Sequence, residues 1–190
     1  MENGKNSAES HGSDTDCYIQ RLLVTNPLRE SVLRSAIQAL QLPVGSRGLD
    51  AGCGIGLQTV LLAEAVGPAG HVTGLDLTPE FLLRAEELVK ESGLSEQISF
   101  REGNVTELPF DDDTFDWLWS ADCVGYPAVE SPSILKELAR VVKPGGIVVI
   151  LGWSSQQLLP GHPLLEARLN AIAPGYAAFF KGMRPEQHFL

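Results

Sequence analysis

Apolar positions along the chain alternate between a helical period and short continuous or strand-like runs. Behind Asn26-Pro27, Leu28, Val32, Leu33, Ala36, Ile37 and Leu40 recur at helical spacing. Asn26 suits an N-cap and Pro27 a first helical position, so the spacing predicts a helix that starts there and stops before Pro43. Gly48-Leu49-Asp50 reads as a strand end entering a glycine-rich turn. A mostly apolar helix follows over 57–66, closed by Gly67-Pro68. Residues 71–76 read as a strand, and Thr78-Pro79 opens a helix over 79–92 that Gly93 ends. Residues 97–101 and 115–119 read as two more strands. Ser131-Pro132 opens a helix over 132–142, and Lys143-Pro144-Gly145-Gly146 turns the chain into a strand over 147–152. Beyond Trp153 a helix over 163–172 is expected and no further strand. Strands separated by helices imply right-handed crossovers, and so an α/β fold on a parallel sheet of five strands.

Residues 1–16 carry Ser, Gly, Asn, Asp and Glu and no large apolar side chain after Met1, which predicts a mobile tail ahead of a domain over 17–190. The full 190 residues suit one domain, and 44% apolar with 20% charged residues is ordinary for a globular one. With 24 acidic against 14 basic residues the formal charge is −10, which disfavours a nucleic-acid partner or a polybasic membrane anchor. No apolar run approaches the ~18–20 residues of a membrane span. Cys17, Cys53 and Cys123 are too few and too scattered for a disulfide framework or a zinc site. Asp111-Asp112-Asp113 lacks the spacing and glycine of a calcium loop, so no metal is expected. A cytoplasmic location is the reading that fits.

The chemistry concentrates in Asp50-Ala51-Gly52-Cys53-Gly54-Ile55-Gly56. Glycines between a strand and its helix let backbone approach a ligand closely at a helix N-terminus. The dinucleotide pattern G-x-G-x-x-G would place its last glycine at position 57, which is Leu57; the third glycine comes one residue earlier. A phosphate-binding G-K-[ST] is also missing, since Gly56 is followed by Leu57-Gln58. Asp76 lies twenty residues beyond Gly56 at the end of the second strand. Its carboxylate can accept two hydrogen bonds from the vicinal hydroxyls of a ribose, or serve the next helix N-terminus, or both.

In this order and spacing the motifs resemble the class I, Rossmann-like S-adenosylmethionine-dependent methyltransferases, and in particular small-molecule enzymes similar to the ubiquinone and menaquinone C-methyltransferases. The resemblance covers about residues 26–153. It implies a three-layer α/β/α sandwich with a mostly parallel sheet. It also implies that Asp50, Ala51, Gly52, Cys53, Gly54 and Gly56 lie against the methionine and ribose portions of the cofactor. Asp76, with Leu77 beside it, matches the acid that holds the ribose hydroxyls. Asn104 and Val105, ahead of Glu107-Leu108-Pro109-Phe110, match the segment that meets adenine. Ser120 and Asp122 fall in the turn beneath the methionine moiety, and Lys143 to Gly146 in the turn before the fifth strand.

The family's sheet ends in an antiparallel hairpin for which this sequence holds no candidate. The chain is therefore expected to be truncated, or else residues 154–190 or a partner must cover the edge strand 147–152, with oligomers forming through that edge. Residues 154–190 are expected on the acceptor side. The implied activity is methyl transfer to a small-molecule acceptor, with S-adenosylhomocysteine as product. Methyl transfer needs few side chains, so no catalytic residue is assigned. His162 is a candidate base or substrate contact, while His71, Trp117 and Trp119 read as structural and Cys53 and Cys123 as space-filling. A non-catalytic S-adenosylmethionine-binding module is an alternative. So is an NAD- or nucleotide-sugar-binding oxidoreductase or epimerase, which the glycine spacing opposes.

Overall fold

The computed structural model describes residues 5–124 and 132–152, with side chains described over 15–124 and 133–152. The elements run α1 (Lys5–Leu40), β1 (Arg47–Ala51), α2 (Leu57–Val66), β2 (His71–Asp76), α3 (Pro79–Ser92), β3 (Ile98–Glu102), β4 (Phe115–Ala121), α4 (Pro132–Arg140) and β5 (Val142–Leu151). The sheet order is β3-β2-β1-β4-β5, and every pairing is parallel. The chain leaves β1 in one direction to lay down β2 and β3, then returns to its other side for β4 and β5. That reversal opens a crevice beyond the C-terminal ends of β1 and β4, the place where open α/β sheets hold ligands.

Two hydrophobic cores flank the sheet. On one face Trp117, Trp119 and Val72 pack with Leu33 and Ile37 of α1, Leu61, Leu62 and Val66 of α2, and Val89 of α3. On the other, Leu49, Ala51, Leu75 and Leu118 meet Ile134 and Leu138 of α4. The expected α/β/α sandwich is therefore present, and the two tryptophans sit in the core as their alternate spacing on one strand predicts. Trp117 also explains a glycine in β1. Its indole crosses over Gly48, where an added Cβ would lie 2.1 Å from the ring. The ring is fixed there by a hydrogen bond from Nε1 to Ser46 Oγ at 2.8 Å.

The first helix departs from expectation. Asn26 and Pro27 lie inside α1 rather than at its start, and residues 5–16, expected as a mobile tail, are its first turns. A proline inside a helix costs ~3 kcal/mol. Burying one Leu or Ile side chain contributes about 1.5–3 kcal/mol, and α1 buries Ile19 before the proline and Leu33 and Ile37 after it. Tyr18 adds a stack on Phe81 of α3, with ring centroids 5.6 Å apart. Contacts on both sides of Pro27 thus outweigh the break that the local signal predicts.

The chain around β5 differs more modestly. α4 ends at Arg140 and β5 begins at Val142, so Lys143 to Gly146 falls within the strand. Phe115 pairs with Val142 and Trp117 with Ile147, so two steps along β4 match five along β5. This bulge is braced by Lys143 Nζ, which donates to Asp116 Oδ1 at 2.7 Å. β5 is the end strand of the described sheet, with Ile147 and Val148 partly exposed. The expected helix over 163–172 and the expected cover of this edge by 154–190 fall outside the described residues.

Replacing Gly48 by alanine drives a methyl group into the Trp117 indole, so Gly48→Ala is expected to cost about 1–3 kcal/mol, the usual range for overpacking. A lowered urea midpoint at unchanged m-value reports this; an unchanged midpoint contradicts the close approach.

Candidate functional site

The crevice is built by the loop after β1. Three of its glycines hold left-handed backbone, with φ of +83° at Gly52, +55° at Gly54 and +79° at Gly56. They serve different ends. An added Cβ at Gly52 would strike Cys123 Sγ at 2.3 Å, and one at Gly56 would press on Ala85 at 3.0 Å, so these two permit close packing against the turn after β4 and against α3. At Gly54 an added Cβ would meet nothing within 4 Å. This glycine faces open space.

The loop is tied to the end of β2. Gly52 and Cys53 both donate backbone N–H bonds to Leu75 O, at 2.8 and 2.9 Å. Gly54 N–H donates to Asp76 Oδ2 at 2.8 Å, and Thr78 N–H donates to Asp76 Oδ1 at 3.0 Å. Asp76 therefore organises the start of α3 and the glycine loop together. A carboxylate offers about four acceptor positions, so two backbone donors leave capacity for further hydroxyls.

A cavity of about 230 Å³ opens beside this loop. Gly52, Cys53, Gly54, Asp76 and Asp122 line it, so the structure brings together five of the twelve site residues expected from sequence. Asp122 has left-handed backbone (φ +56°), donates its N–H to Leu151 O at 2.9 Å, and pairs its carboxylate with the Arg29 guanidinium.

The other seven expected residues lie around the cavity rather than in its lining. Asp50 is buried beneath the loop and accepts a bond from Thr59 Oγ1 at 2.7 Å. Burial pushes its carboxyl up to about 7; the Thr59 hydroxyl works against that shift and the Asp76 charge adds to it. Ser120 donates to Ala51 O at 2.8 Å, joining β4 to β1 under the crevice. Gly56 caps α2. Asn104 Oδ1 accepts the Thr106 N–H at 2.9 Å in a turn, Val105 packs against the second core, and Leu77 is exposed.

One wall was not legible from the motifs. Tyr18, Leu22, Thr25, Asn26 and Arg29 of α1 line the cavity, as does Phe81 of α3. The available signal was Tyr18, Ile19 and Leu22, which extend the helical spacing of Leu33 and Ile37 backwards through the proline. Burial raises both the Cys53 and the Cys123 thiol, the latter to about 11, so these sulfurs stay protonated and fill space. His71 sits at the opposite end of β2 from Asp76, its Nε2 2.9 Å from Ser99 Oγ. His162 lies outside the described residues.

The chain is similar to known proteins in sequence and in fold. Residues 49–146 match the methyltransferase domain family. A demethylmenaquinone methyltransferase of Anoxybacillus flavithermus is 36% identical over 160 residues, which are 83% of this chain and 65% of that protein. The chain thus spans just under two thirds of that relative's length. A SAM-dependent methyltransferase from Aquifex aeolicus superposes with a TM-score of 0.59 at 26% identity, covering 67% of each chain. A SAM-dependent methyltransferase from Geobacter sulfurreducens in complex with S-adenosyl-L-homocysteine superposes with a TM-score of 0.53 at 25% identity, over 62% of this chain and 46% of that one.

Asp50 carries a pH prediction. Its carboxyl titrates near 7 in the folded chain against 3.8 ordinarily, so between those values the folded state holds a proton that the unfolded state releases. Stability contributed by that proton is full below about pH 4 and falls as pH rises to 7, by roughly 1.4 kcal/mol for each step of one in pH. Asp50→Asn stays neutral and still accepts from Thr59. Its stability relative to wild type is expected to rise between pH 5 and pH 8 in urea titrations; a constant difference contradicts the buried carboxyl.

Proposed function

This chain belongs to the class I, S-adenosylmethionine-dependent methyltransferase family, and from that premise we propose that it binds S-adenosylmethionine in the crevice beyond β1 and β4 and methylates a small-molecule acceptor of the menaquinone type. The observation that carries the reading is the Asp76 carboxylate, fixed by the Gly54 and Thr78 N–H groups on the wall of the cavity that Gly54 leaves open.

The residues present suit the cofactor. Asp76 has acceptor capacity for two ribose hydroxyls, and a carboxylate already held by two backbone donors loses little freedom in accepting them. Gly54, with no Cβ, allows the ligand to approach the main chain. Asp76 and Asp122 place negative charge around a cationic sulfonium. When bound, the cofactor supplies an electrophilic methyl group, so the hard chemistry is its own. The protein's share is orientation and exclusion of water. Holding two reactants in line can supply about 7–11 kcal/mol of barrier lowering without a covalent intermediate. Tyr18, Leu22 and Phe81 contribute apolar surface to the cavity wall. Leu77, Asn104 and Val105 are assigned to the nucleoside end by the family pattern. Asp50, Ala51, Gly56 and Ser120 support the loop from below.

The similarity to a demethylmenaquinone methyltransferase supports an acceptor related to demethylmenaquinone. The NAD alternative gains nothing here, because the third glycine falls at Gly56 and the position where the dinucleotide pattern needs it is Leu57. Calorimetry is expected to show S-adenosylmethionine and S-adenosylhomocysteine binding with NAD far weaker, and Asp76→Ala is expected to lose about 1–3 kcal/mol of that affinity. Tighter binding of NAD, or unchanged affinity in the variant, contradicts the reading. Formation of S-adenosylhomocysteine with a demethylmenaquinone-type quinol separates an enzyme from a module that only binds.

A further inference from the structure

Between β3 and β4, residues 103–114 form no helix or strand, apart from an isolated bridge of Asn104 to Glu107. A crossover between parallel strands usually carries a helix, whose main-chain groups satisfy one another. Here the main chain finds partners in α4 instead. Glu137 Oε1 accepts the Leu108 N–H at 2.7 Å, and Arg140 Nη2 donates to Leu108 O at 3.0 Å. Two side chains of one helix thus engage both main-chain groups of Leu108, as a neighbouring strand would. Arg140 Nη1 donates to Phe110 O and to Asp112 Oδ1, each at 2.8 Å. The pair is itself doubly bonded, Arg140 Nε to Glu137 Oε2 at 3.0 Å and Nη2 to Oε1 at 2.7 Å. All five guanidinium donors are therefore engaged, a fixed fork that a point charge could not replace.

The grip reaches the front of the loop. The Leu108 side chain is buried in the second core, and Val105 packs against the same cluster. Just before Leu108, the Glu107 N–H donates to Asn104 O at 3.1 Å and the Thr106 N–H to Asn104 Oδ1 at 2.9 Å. Asn104 and Val105 therefore sit on a closed turn, and one end of that turn adjoins the clamped Leu108. The other end follows Gly103, whose N–H donates to Asp76 O at 3.0 Å. The turn is held between the carboxylate-bearing end of β2 and the charged pair of α4.

Resting on the proposed cofactor site, in which Asn104 and Val105 take the nucleoside end, we propose that Arg140 and Glu137 are positioning residues that set the base selectivity of that site. They act through the main chain of Leu108. A site rejects a base with altered hydrogen-bonding groups only if its own groups are held in place; a loop free to shift adapts to the change at little cost.

Calorimetry on the full chain tests this with two probes: S-adenosylhomocysteine, and S-inosylhomocysteine, in which an oxo group replaces the 6-amino group of the base. Wild-type protein is expected to prefer the adenine form by roughly 10-fold or more, as for one mismatched hydrogen bond. Arg140→Gln is expected to bring that ratio to about 3-fold or less, chiefly by weakening S-adenosylhomocysteine. Glu137→Gln keeps an oxygen for the Leu108 N–H but breaks the doubly bonded hold on Arg140, so its ratio is expected to fall between the two. This milder variant carries the test if Arg140→Gln does not fold. If both probes weaken by the same factor, or neither changes, the pair only stabilises the fold and the proposal is overturned. Wild-type protein that binds both probes equally removes base selectivity from the loop and overturns it as well. Wild-type protein that binds neither probe contradicts the cofactor site itself, and this proposal falls with it.

Discussion

The carboxylate of Asp76 is the constraint on which the site depends. It ends β2, accepts N–H bonds from the glycine loop and from the start of α3, and so fixes three segments at one point. The sheet puts it there: β1 and β2 are in parallel register from Arg47–His71 to Ala51–Leu75, so the loop leaving β1 passes directly over the end of β2. Backbone bonds from Gly52 and Cys53 to Leu75 O hold the loop down, and left-handed glycines let it turn sharply enough to reach. The crevice is thus a consequence of strand order before it is a matter of any side chain.

Much of this was legible in the sequence because local signals and global fold agree. α2, β2 and α3 occupy the ranges that their glycine, proline and apolar positions predict. Asp76 and the loop glycines were found by spacing alone. The misreadings lie where a local signal opposed distant packing. Asn26-Pro27 is a helix start in isolation, yet Ile19 and Tyr18 find partners that the chain meets only after folding, Phe81 among them. That one error hid the α1 wall of the cavity, including Arg29. The bulge at Lys143 to Gly146 was equally invisible, since pairing with β4 is a matter of register, which no short window contains. Motif resemblance also blurred distinctions among the glycines: Gly52 and Gly56 answer to packing, and Gly54 alone faces open space.

Electrostatics divide the site into layers. Beneath the loop, Asp50 is shielded from water, which pushes its carboxyl up to about 7, and it accepts a hydrogen bond from the Thr59 hydroxyl. Above it, Asp76 and Asp122 are only partly buried and face the cavity. A cationic ligand therefore meets two carboxylates that remain partly hydrated, while the third stays out of reach. The buried thiols of Cys53 and Cys123 add bulk without adding reactivity.

The account reduces to a claim about where a sugar is held, and a crystal structure of the chain grown with S-adenosylhomocysteine measures that directly. The prediction is a ribose whose two hydroxyls lie within hydrogen-bond distance, ~2.5–3.0 Å, of the Asp76 carboxylate, with the adenosyl thioether beside Gly54. A ligand bound elsewhere, or a crevice left empty at saturating concentration, would contradict it.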